Sequence, residues 1–406
     1  MNRVIPFSPP DITNFEIEAV VDVLKSKWIT SGNVNKLFED ELKKYLNIDS
    51  IKLLSSATAG LFIALKLYGV GEGDEVIVPS YTYAATANVV IHTGAKVVFI
   101  DAVDFRENNF NIDVYKLENA ITEKTKAIIS VDIAGYPCDY DSIIEVLNRK
   151  KNLFKASNNK YQKELNRILF ISDAAHSLGA IYRGKKVASQ ADFTSFSFHA
   201  VKNLTTAEGG ALAFKSIGNI RYDEIYKEVS LWALHGQSKS AFDKNSGGKS
   251  SWRYDIVYNG FKCNMSDIHA AIGLSQLKRY DDMLLHRKKI VDIYNSILSS
   301  NKNIIIPIFK DDIKESSYHL YTIRIKNFTE EMRDVFIDKM YEKGIIVNVH
   351  YIPLPCMTAY INLGYDIKDY PNSFELYKNE VSLPLYSTLS FDDATYIANT
   401  VIDLCS

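Results

Sequence analysis

Among the 406 residues of the chain, one stretch is dense in residue types that can do chemistry. Ser195 to Gly210 reads SFSFHAVKNLTTAEGG. Its opening, with Phe193, Phe196 and Phe198 around Thr194 and Ser197, has the apolar, β-prone composition of a buried strand. That regularity ends at His199, and a single lysine, Lys202, precedes the Gly209–Gly210 pair. Desolvation of an amine just beyond a buried strand lowers its pKa and yields a neutral nucleophile able to form a Schiff base. The alternative is a solvated loop lysine, the common state of an isolated lysine. For His199, packing and facing a substrate both remain open.

Three further stretches bear on that choice. SSATAG, Ser55 to Gly60, stands between a strand and a helix; its small residues, Ala57 and Thr58 among them, let backbone N–H groups approach an anion at a helix N-terminus. An ordinary N-cap is the alternative. SDAAHSLGA, Ser172 to Ala180, places Asp173 at the end of an apolar strand, where a buried carboxylate needs a partner, and His176 three residues on. These two could equally be a helix cap and a packing histidine. PSYTYAATAN, Pro79 to Asn88, offers Tyr81 and Tyr83 for stacking on a flat ligand or for the core. One cofactor answers all four stretches. Pyridoxal 5′-phosphate (PLP) needs a phosphate cup, a carboxylate for its ring nitrogen, a stacking group and a Schiff-base lysine. Ser197 would add a hydroxyl to the cup. No GxGxxG and no GxxxxGK[ST] occurs, so dinucleotide and P-loop chemistry, and with them a short-chain dehydrogenase, are not expected.

The elements that must position these residues follow from periodicity. A helix capped by Thr13, with Glu16 at the capping-box position, is predicted to about Lys25, and another over Asn35–Tyr45. Strands are predicted at Ile51–Leu54, Glu75–Pro79, Val97–Asp101, Ala127–Asp132, Ile168–Asp173, Phe193–Phe198 and Ala211–Phe214, with helices at Ala57–Tyr68, Tyr83–His92, Asp113–Ile121 and Asp141–Asn148 between them. This alternation predicts a mainly parallel seven-stranded sheet sandwiched by helices, in an α/β domain over residues 1–278 with an N-terminal arm, 1–34. Function in such sheets collects beyond the carboxyl ends of strands, where Ser55, Ser80, Asp173 and Lys202 fall. Helices at Ser266–Lys278 and Asp281–Leu298 lead into a smaller α+β domain over 279–406, with strands His319–Ile325 and Ile345–Asn348 and helices Thr329–Lys343 and Ser390–Leu404. The polar segments Ala156–Lys163 and Ser238–Ser251 read as surface loops.

Composition narrows the class. A formal net charge of −2 gives no basic excess for nucleic acid. MNRVIPFSPPDITNF lacks the apolar core of a signal peptide, and no apolar run approaches a membrane span. Cys138, Cys263, Cys356 and Cys405 are scattered without a CxxC pair, which suits reduced thiols in a cytoplasmic enzyme without disulfides or a metal.

The sequence resembles the DegT-type nucleotide-sugar aminotransferases, PLP enzymes of fold type I. IPFSPPDI, WITSG, SSATAG, GDEVIVPSYTYAATAN, SDAAHSLGA, SFSFHAVKNLTTAEGG, GFKCNMSDIHAAIGLSQL and HYIPL look like family motifs in family order, nearly end to end. The resemblance implies that Lys202 carries the cofactor, Asp173 pairs with the pyridine nitrogen, His176 sits at the O3′ side, Tyr83 stacks on the ring, and Ala57, Thr58 and Ser197 hold the phosphate. It implies a homodimer in which Lys262 or Asn264 reaches the partner's phosphate. It also implies transfer of an amine from L-glutamate, through pyridoxamine phosphate, to a nucleotide-linked 4-keto-6-deoxy hexose for surface polysaccharide. Trp28, Thr30, His350 and Tyr351 are the candidates for the sugar pocket, against a role in packing. SFHAVKNLTTAEGG is more similar to C4-aminating than to C3-aminating members. Pro355 and Cys356 stand where many relatives have a second histidine, which bears on the sugar and not on the cofactor. A sugar dehydratase on the same scaffold would have histidine in place of Lys202, and a non-catalytic sensor would not need that lysine.

Overall fold

In the computed structural model, which describes residues 4–239 and 252–405, the longest apolar runs of the sequence line up as one sheet. Strands β1 (Ile51–Leu54), β2 (Glu75–Pro79), β3 (Lys96–Ile100), β4 (Thr125–Val131), β5 (Leu169–Asp173), β6 (Phe193–Ser197) and β7 (Gly210–Phe214) form it in the order β1-β7-β6-β5-β4-β2-β3. Pairing is parallel from β6 through β5, β4 and β2 to β3. Only β7 runs against its neighbours, antiparallel to both β6 and β1. Every residue of β4 and β5 is buried, as a strand covered on both faces requires.

Helices α1 (Asn14–Ser26), α2 (Asn33–Leu46), α3 (Ala57–Leu67) and α4 (Ala84–Thr93) start where their caps predict or where a tertiary contact takes over. The Thr13–Glu16 capping box forms, with Thr13 N–H donating to Glu16 Oε2 at 2.7 Å. Gly32 offers α2 no side-chain cap. Asp267, at the start of the helix Asp267–Leu277, accepts from Gly32 N–H at 2.8 Å and Asn35 N–H at 3.0 Å instead.

The rest of the chain builds a three-stranded antiparallel sheet, β8 (Ile304–Ile305), β9 (Tyr321–Ile325) and β10 (Glu380–Leu383), backed by the helices Tyr280–Leu298, Glu330–Glu342 and Phe391–Leu404. It has its own apolar core, including Tyr294, Ile323, Phe336 and Ile397. A third cluster, with Tyr81, Val131, Leu320 and Tyr377, lies between the two cores. On these grounds we propose domains over residues 1–278 and 279–406. The arm crosses that division: Ile5 pairs with Ile345 and packs in the smaller core.

Several elements differ from the sequence expectation. Ile345–Asn348 is not a continuous strand; Ile345 bridges Ile5 and Asn348 bridges Ser382, so two partners share the segment. Part of the expected loop Ala156–Lys163 belongs to the helix Lys160–Leu165, capped by Asn159. The helix Tyr222–Ala233 and strand β10 had no assignment from periodicity. Most of the expected loop Ser238–Ser251 lies outside the described residues. No described helix is long and apolar enough to cross a membrane, no group of three or more metal-ligating side chains occurs among the described residues, and the four cysteines are unpaired.

At Gly210 β7 meets the start of α3. A Cβ there would lie 2.6 Å from Phe196 O and closer still to the backbone at Ser56 and Ala57. Gly210→Ala is therefore expected to destabilise the protein by about 1–3 kcal/mol in urea denaturation, since backbone cannot yield as a side chain can. Unchanged stability would mean that this approach is not tight.

Candidate active site

A cavity of about 370 Å³ opens at the carboxyl ends of the parallel strands. Parallel pairing sets its floor. Asp173 ends β5 opposite Ser195 of β6, and the chain beyond β6 turns back so that Lys202 lines the same cavity. Hydrogen bonds fix that turn: Lys202 N–H to His199 O at 2.9 Å, Thr206 N–H to Phe198 O at 2.8 Å, and Thr205 N–H to the buried Gln276 Oε1 at 2.9 Å. Asn203, next to the lysine, donates to Ser317 O at 2.7 Å and so ties the loop to the smaller domain.

The electrostatics follow from burial. Desolvation pulls the Lys202 amine down to about 8, against the attraction of Asp173. Desolvation lifts Asp173 to about 6, opposed by Thr86 Oγ1, which donates to Oδ2 at 2.9 Å, by Ala175 N–H at 3.2 Å to Oδ1, and by Lys202. Burial, together with Lys202 and His350, holds His176 well below its usual range, so its ring is neutral. Its Nε2 lies 3.1 Å from Tyr351 Oη, its ring stands 4.3 Å from that of His319, and its buried Nδ1 has no partner. Ser56 caps α3 through Ala59 N–H at 3.1 Å, so the amides of Ala57 and Thr58 open the helix with no preceding turn to accept from them. Ser197 and the largely exposed Tyr83 complete this side of the wall.

Of the residues singled out in the sequence, Ala57, Thr58, Tyr83, Asp173, His176, Ser197, Lys202, His350 and Tyr351 line this one cavity. His199 lines it too, 3.7 Å from Glu208. Ser55, Ser80 and Tyr81 do not line it, and Tyr81 is buried in the third apolar cluster rather than free to stack on a ligand. Four more are elsewhere in the single chain. Trp28, Thr30, Lys262 and Asn264 gather around Ser31: Trp28 Nε1 donates to Ser31 O at 3.2 Å, Asn264 Nδ2 to Ser31 Oγ at 2.6 Å, Asp267 N–H to Thr30 O at 3.3 Å, and Lys262 contacts Asn264. That cluster adjoins the phosphate-cup side, since Asn264 bridges Leu54 and Ser55 N–H donates to Cys263 O at 2.7 Å.

Sequence reasoning missed Thr86, Asn203, His319, Tyr81's polar role and Glu380. Thr86 carried a faint signal, one helical turn past Thr82, whose hydroxyl it meets at 2.9 Å. Tyr81 Oη donates to His350 O at 2.7 Å and accepts from Tyr351 N–H at 2.9 Å. His319, just before β9, and Glu380, at the start of β10, lie far along the chain and had none.

A model of the DegT/DnrJ/EryC1/StrS aminotransferase family matches residues 10–402. The chain belongs to that family. A protein of Streptococcus pneumoniae assigned as a sugar aminotransferase, solved in its PMP form, superposes with a TM-score of 0.94 at 47% identity, over 99% of each chain. The same protein has been solved in a PLP form. Helicobacter pylori PseC, an aminotransferase involved in the biosynthesis of pseudoaminic acid, matches with a TM-score of 0.85 at 28% identity over 99% of each chain. The Bacillus subtilis spore coat polysaccharide biosynthesis protein SpsC is 36% identical over 99% of this chain and 97% of its own.

The cavity residues fit PLP. A helix N-terminus suits a phosphate, a buried carboxylate suits a protonated ring nitrogen, a partly neutral amine suits an aldehyde carbon, and the unpaired His176 Nδ1 leaves a polar demand for a ligand to meet.

Because Lys202 titrates near 8, its neutral form grows as pH rises through 8. Covalent capture of PLP by apoenzyme, followed by absorbance, is expected to accelerate with a midpoint near that value. A midpoint near the 10.5 of a solvated lysine would contradict the burial argument. Thr86→Val removes a bond that favours the Asp173 carboxylate. It should weaken PLP retention at neutral pH by about tenfold, the value of a hydrogen bond to a charged group, as read by dialysis.

Proposed function

We propose that this chain, a PLP-dependent sugar aminotransferase of sugar or polysaccharide biosynthesis, transfers an amine from L-glutamate to C4 of a nucleotide-linked 4-keto-6-deoxy hexose. The observation that carries the reading is the placement of a desolvated Lys202 amine and the Asp173 carboxylate in one cavity beside the N-terminus of α3. When bound, PLP supplies an electron sink.

The chain's own residues do the rest. Ala57 and Thr58 amides and the Ser197 hydroxyl would hold the phosphate. Asp173, held by Thr86 and Ala175, keeps a proton on the ring nitrogen. Lys202 takes the proton from the donor's α-carbon and returns it at the cofactor's C4′. His176, neutral and hydrogen-bonded to Tyr351, orients the O3′ side, and Tyr83 covers the ring. His350 and Tyr351 face the sugar. The C4 choice rests on the likeness of SFHAVKNLTTAEGG to C4-aminating members, and the glutamate donor on the family resemblance.

A homodimer fits the surface. Phe15, Ile17 and Leu24 of α1, with Ile29 and Leu37, leave large apolar side chains exposed near the N-terminus. In that dimer Trp28, Thr30, Lys262 and Asn264 would complete the partner's cavity. The unpaired cysteines suit a reducing compartment, and we place the enzyme in the cytoplasm.

Two experiments test this reading. Holoenzyme is incubated with glutamate and UDP-, dTDP-, GDP- or CDP-linked keto sugars, and products are weighed by mass spectrometry. A gain of one amine on at least one of them is expected; no amination of any would refute the substrate class. Second, inactive Lys202→Ala and Lys262→Ala/Asn264→Ala proteins are mixed after dissociation and reassembled. Shared sites predict that activity reappears, because one site per mixed dimer is intact. Persistent inactivity would place these residues within their own chain's site.

A further inference from the structure

Behind His350 the structure holds a buried carboxyl that the mechanism above does not use. The segment after Asn348 runs antiparallel to β10. Ser382 N–H donates to Asn348 O at 2.7 Å and Asn348 N–H to Ser382 O at 3.1 Å. Continuing that register sets His350 against Glu380. The contacts agree: His350 N–H donates to Glu380 Oε2 at 2.9 Å, Ser382 Oγ lies 2.6 Å from Glu380 Oε1, and His350 Nδ1 lies 2.9 Å from Ser382 Oγ. The ring is clamped, since Phe7 stacks on it at 5.4 Å and Tyr81 holds its carbonyl. Nδ1 is thus committed to Ser382, and Nε2 is the ring nitrogen left for the cavity that His350 lines.

We propose that Glu380, acting through Ser382, is a positioning residue that sets the tautomer of His350 and so decides whether Nε2 meets the sugar as a hydrogen-bond donor or an acceptor. This rests on the reading that His350 faces the sugar. With Glu380 ionised, Ser382 donates to the carboxylate, accepts from Nδ1–H, and leaves Nε2 as a bare acceptor. Adding one proton reverses the chain. Glu380 donates to Ser382, Ser382 donates to Nδ1, and the histidine proton resides on Nε2. The two states differ by one proton, and no bond between heavy atoms changes.

The surroundings permit both states. Arg324 stands opposite Glu380 in the sheet register, but its Nε donates to Asn108 Oδ1 at 2.8 Å and a further N–H to Phe105 O. Arg333 donates to Tyr377 O at 3.0 Å and Asp334 at 2.8 Å. Tyr81 and Tyr351 are the other titratable groups near the carboxyl, both held neutral by burial, and Lys202 is the cation that bears on His350. Desolvation lifts Glu380 to about 8, only partly offset by Ser382, His350 N–H and Arg333. The protonated state therefore dominates at pH 7 and the ionised state above about 8.

Holoenzyme carrying ¹⁵N-labelled histidine tests this directly by NMR. The expected spectrum shows the His350 proton on Nε2 at pH 7 and on Nδ1 at pH 9.5. Glu380→Gln keeps both contacts but can only donate to Ser382, so Nε2–H should persist at both pH values. Ser382→Ala should uncouple the tautomer from pH, and Ser382→Thr should restore the coupling, which keeps the test open if Glu380→Gln does not fold. In parallel, KM for the keto sugar should change at least threefold between pH 7 and 9.5 in wild type and lose that change in Glu380→Gln, while the glutamate half-reaction, read by absorbance, follows the same pH profile in both. A Glu380→Gln or Ser382→Ala enzyme with the wild-type tautomer at both pH values would overturn the proposal. Failure of every keto sugar to react would strike the functional reading alone, because the NMR result does not depend on it.

Discussion

The gathering of a half-buried Lys202 amine and the buried Asp173 carboxylate into one cavity is the constraint on which the rest of the structure depends. A lone buried ammonium is costly, and so is a lone buried carboxylate. Together in one cavity they moderate each other, yet each remains shifted toward neutrality, the amine to about 8 and the acid to about 6. A solvated lysine would be almost wholly protonated at neutral pH and a poor nucleophile. The fold supplies the desolvation by ending β5 at Asp173, opposite Ser195 of the adjacent parallel strand β6, and folding the loop after β6 back over them.

That arrangement explains why the surrounding parts are tied to more than one element. Asn203 anchors the lysine loop to Ser317, Gln276 anchors it to the helix that also reaches the N-terminal arm through Asp11 O at 2.7 Å, and Gly210 lets β7 press against the start of α3. The C-terminal part of the chain contributes to the cavity as well, through His350 and Tyr351. His319 backs His176, and the His350–Tyr351 segment is pinned by Tyr81 on one side and by β10 on the other. The large sheet thus sets the Lys202–Asp173 side of the cavity, and contacts between segments distant in the chain set its His350–Tyr351 wall.

What was legible in the sequence follows the same division. Strand ends, the Thr13 cap and the α3 start are local patterns, and Asp173, Ser197 and Lys202 could be placed because each sits next to an apolar run in the chain. Glu380 and His319 could not be placed that way, because their proximity to the cavity arises from pairing between segments distant in sequence. Polarity hid the helix Lys160–Leu165, whose stability comes from the Asn159 cap and the burial of Tyr161 and Gln162. Segment 345–348 carried β-prone residues, but its pairing is split between Ile5 and β10. Trp28, Thr30, Lys262 and Asn264 were marked by type, and the fold gathers them at Ser31, outside their own chain's cavity.

One measurement tests most directly whether Lys202 is the amine that holds PLP. Holoenzyme is treated with borohydride, digested, and the cofactor-bearing peptide is sequenced by mass spectrometry. A single reduced pyridoxyl adduct on Lys202, in the peptide containing HAVKNL, is expected. An adduct on another lysine, or none on an enzyme that still aminates its substrate, would contradict it.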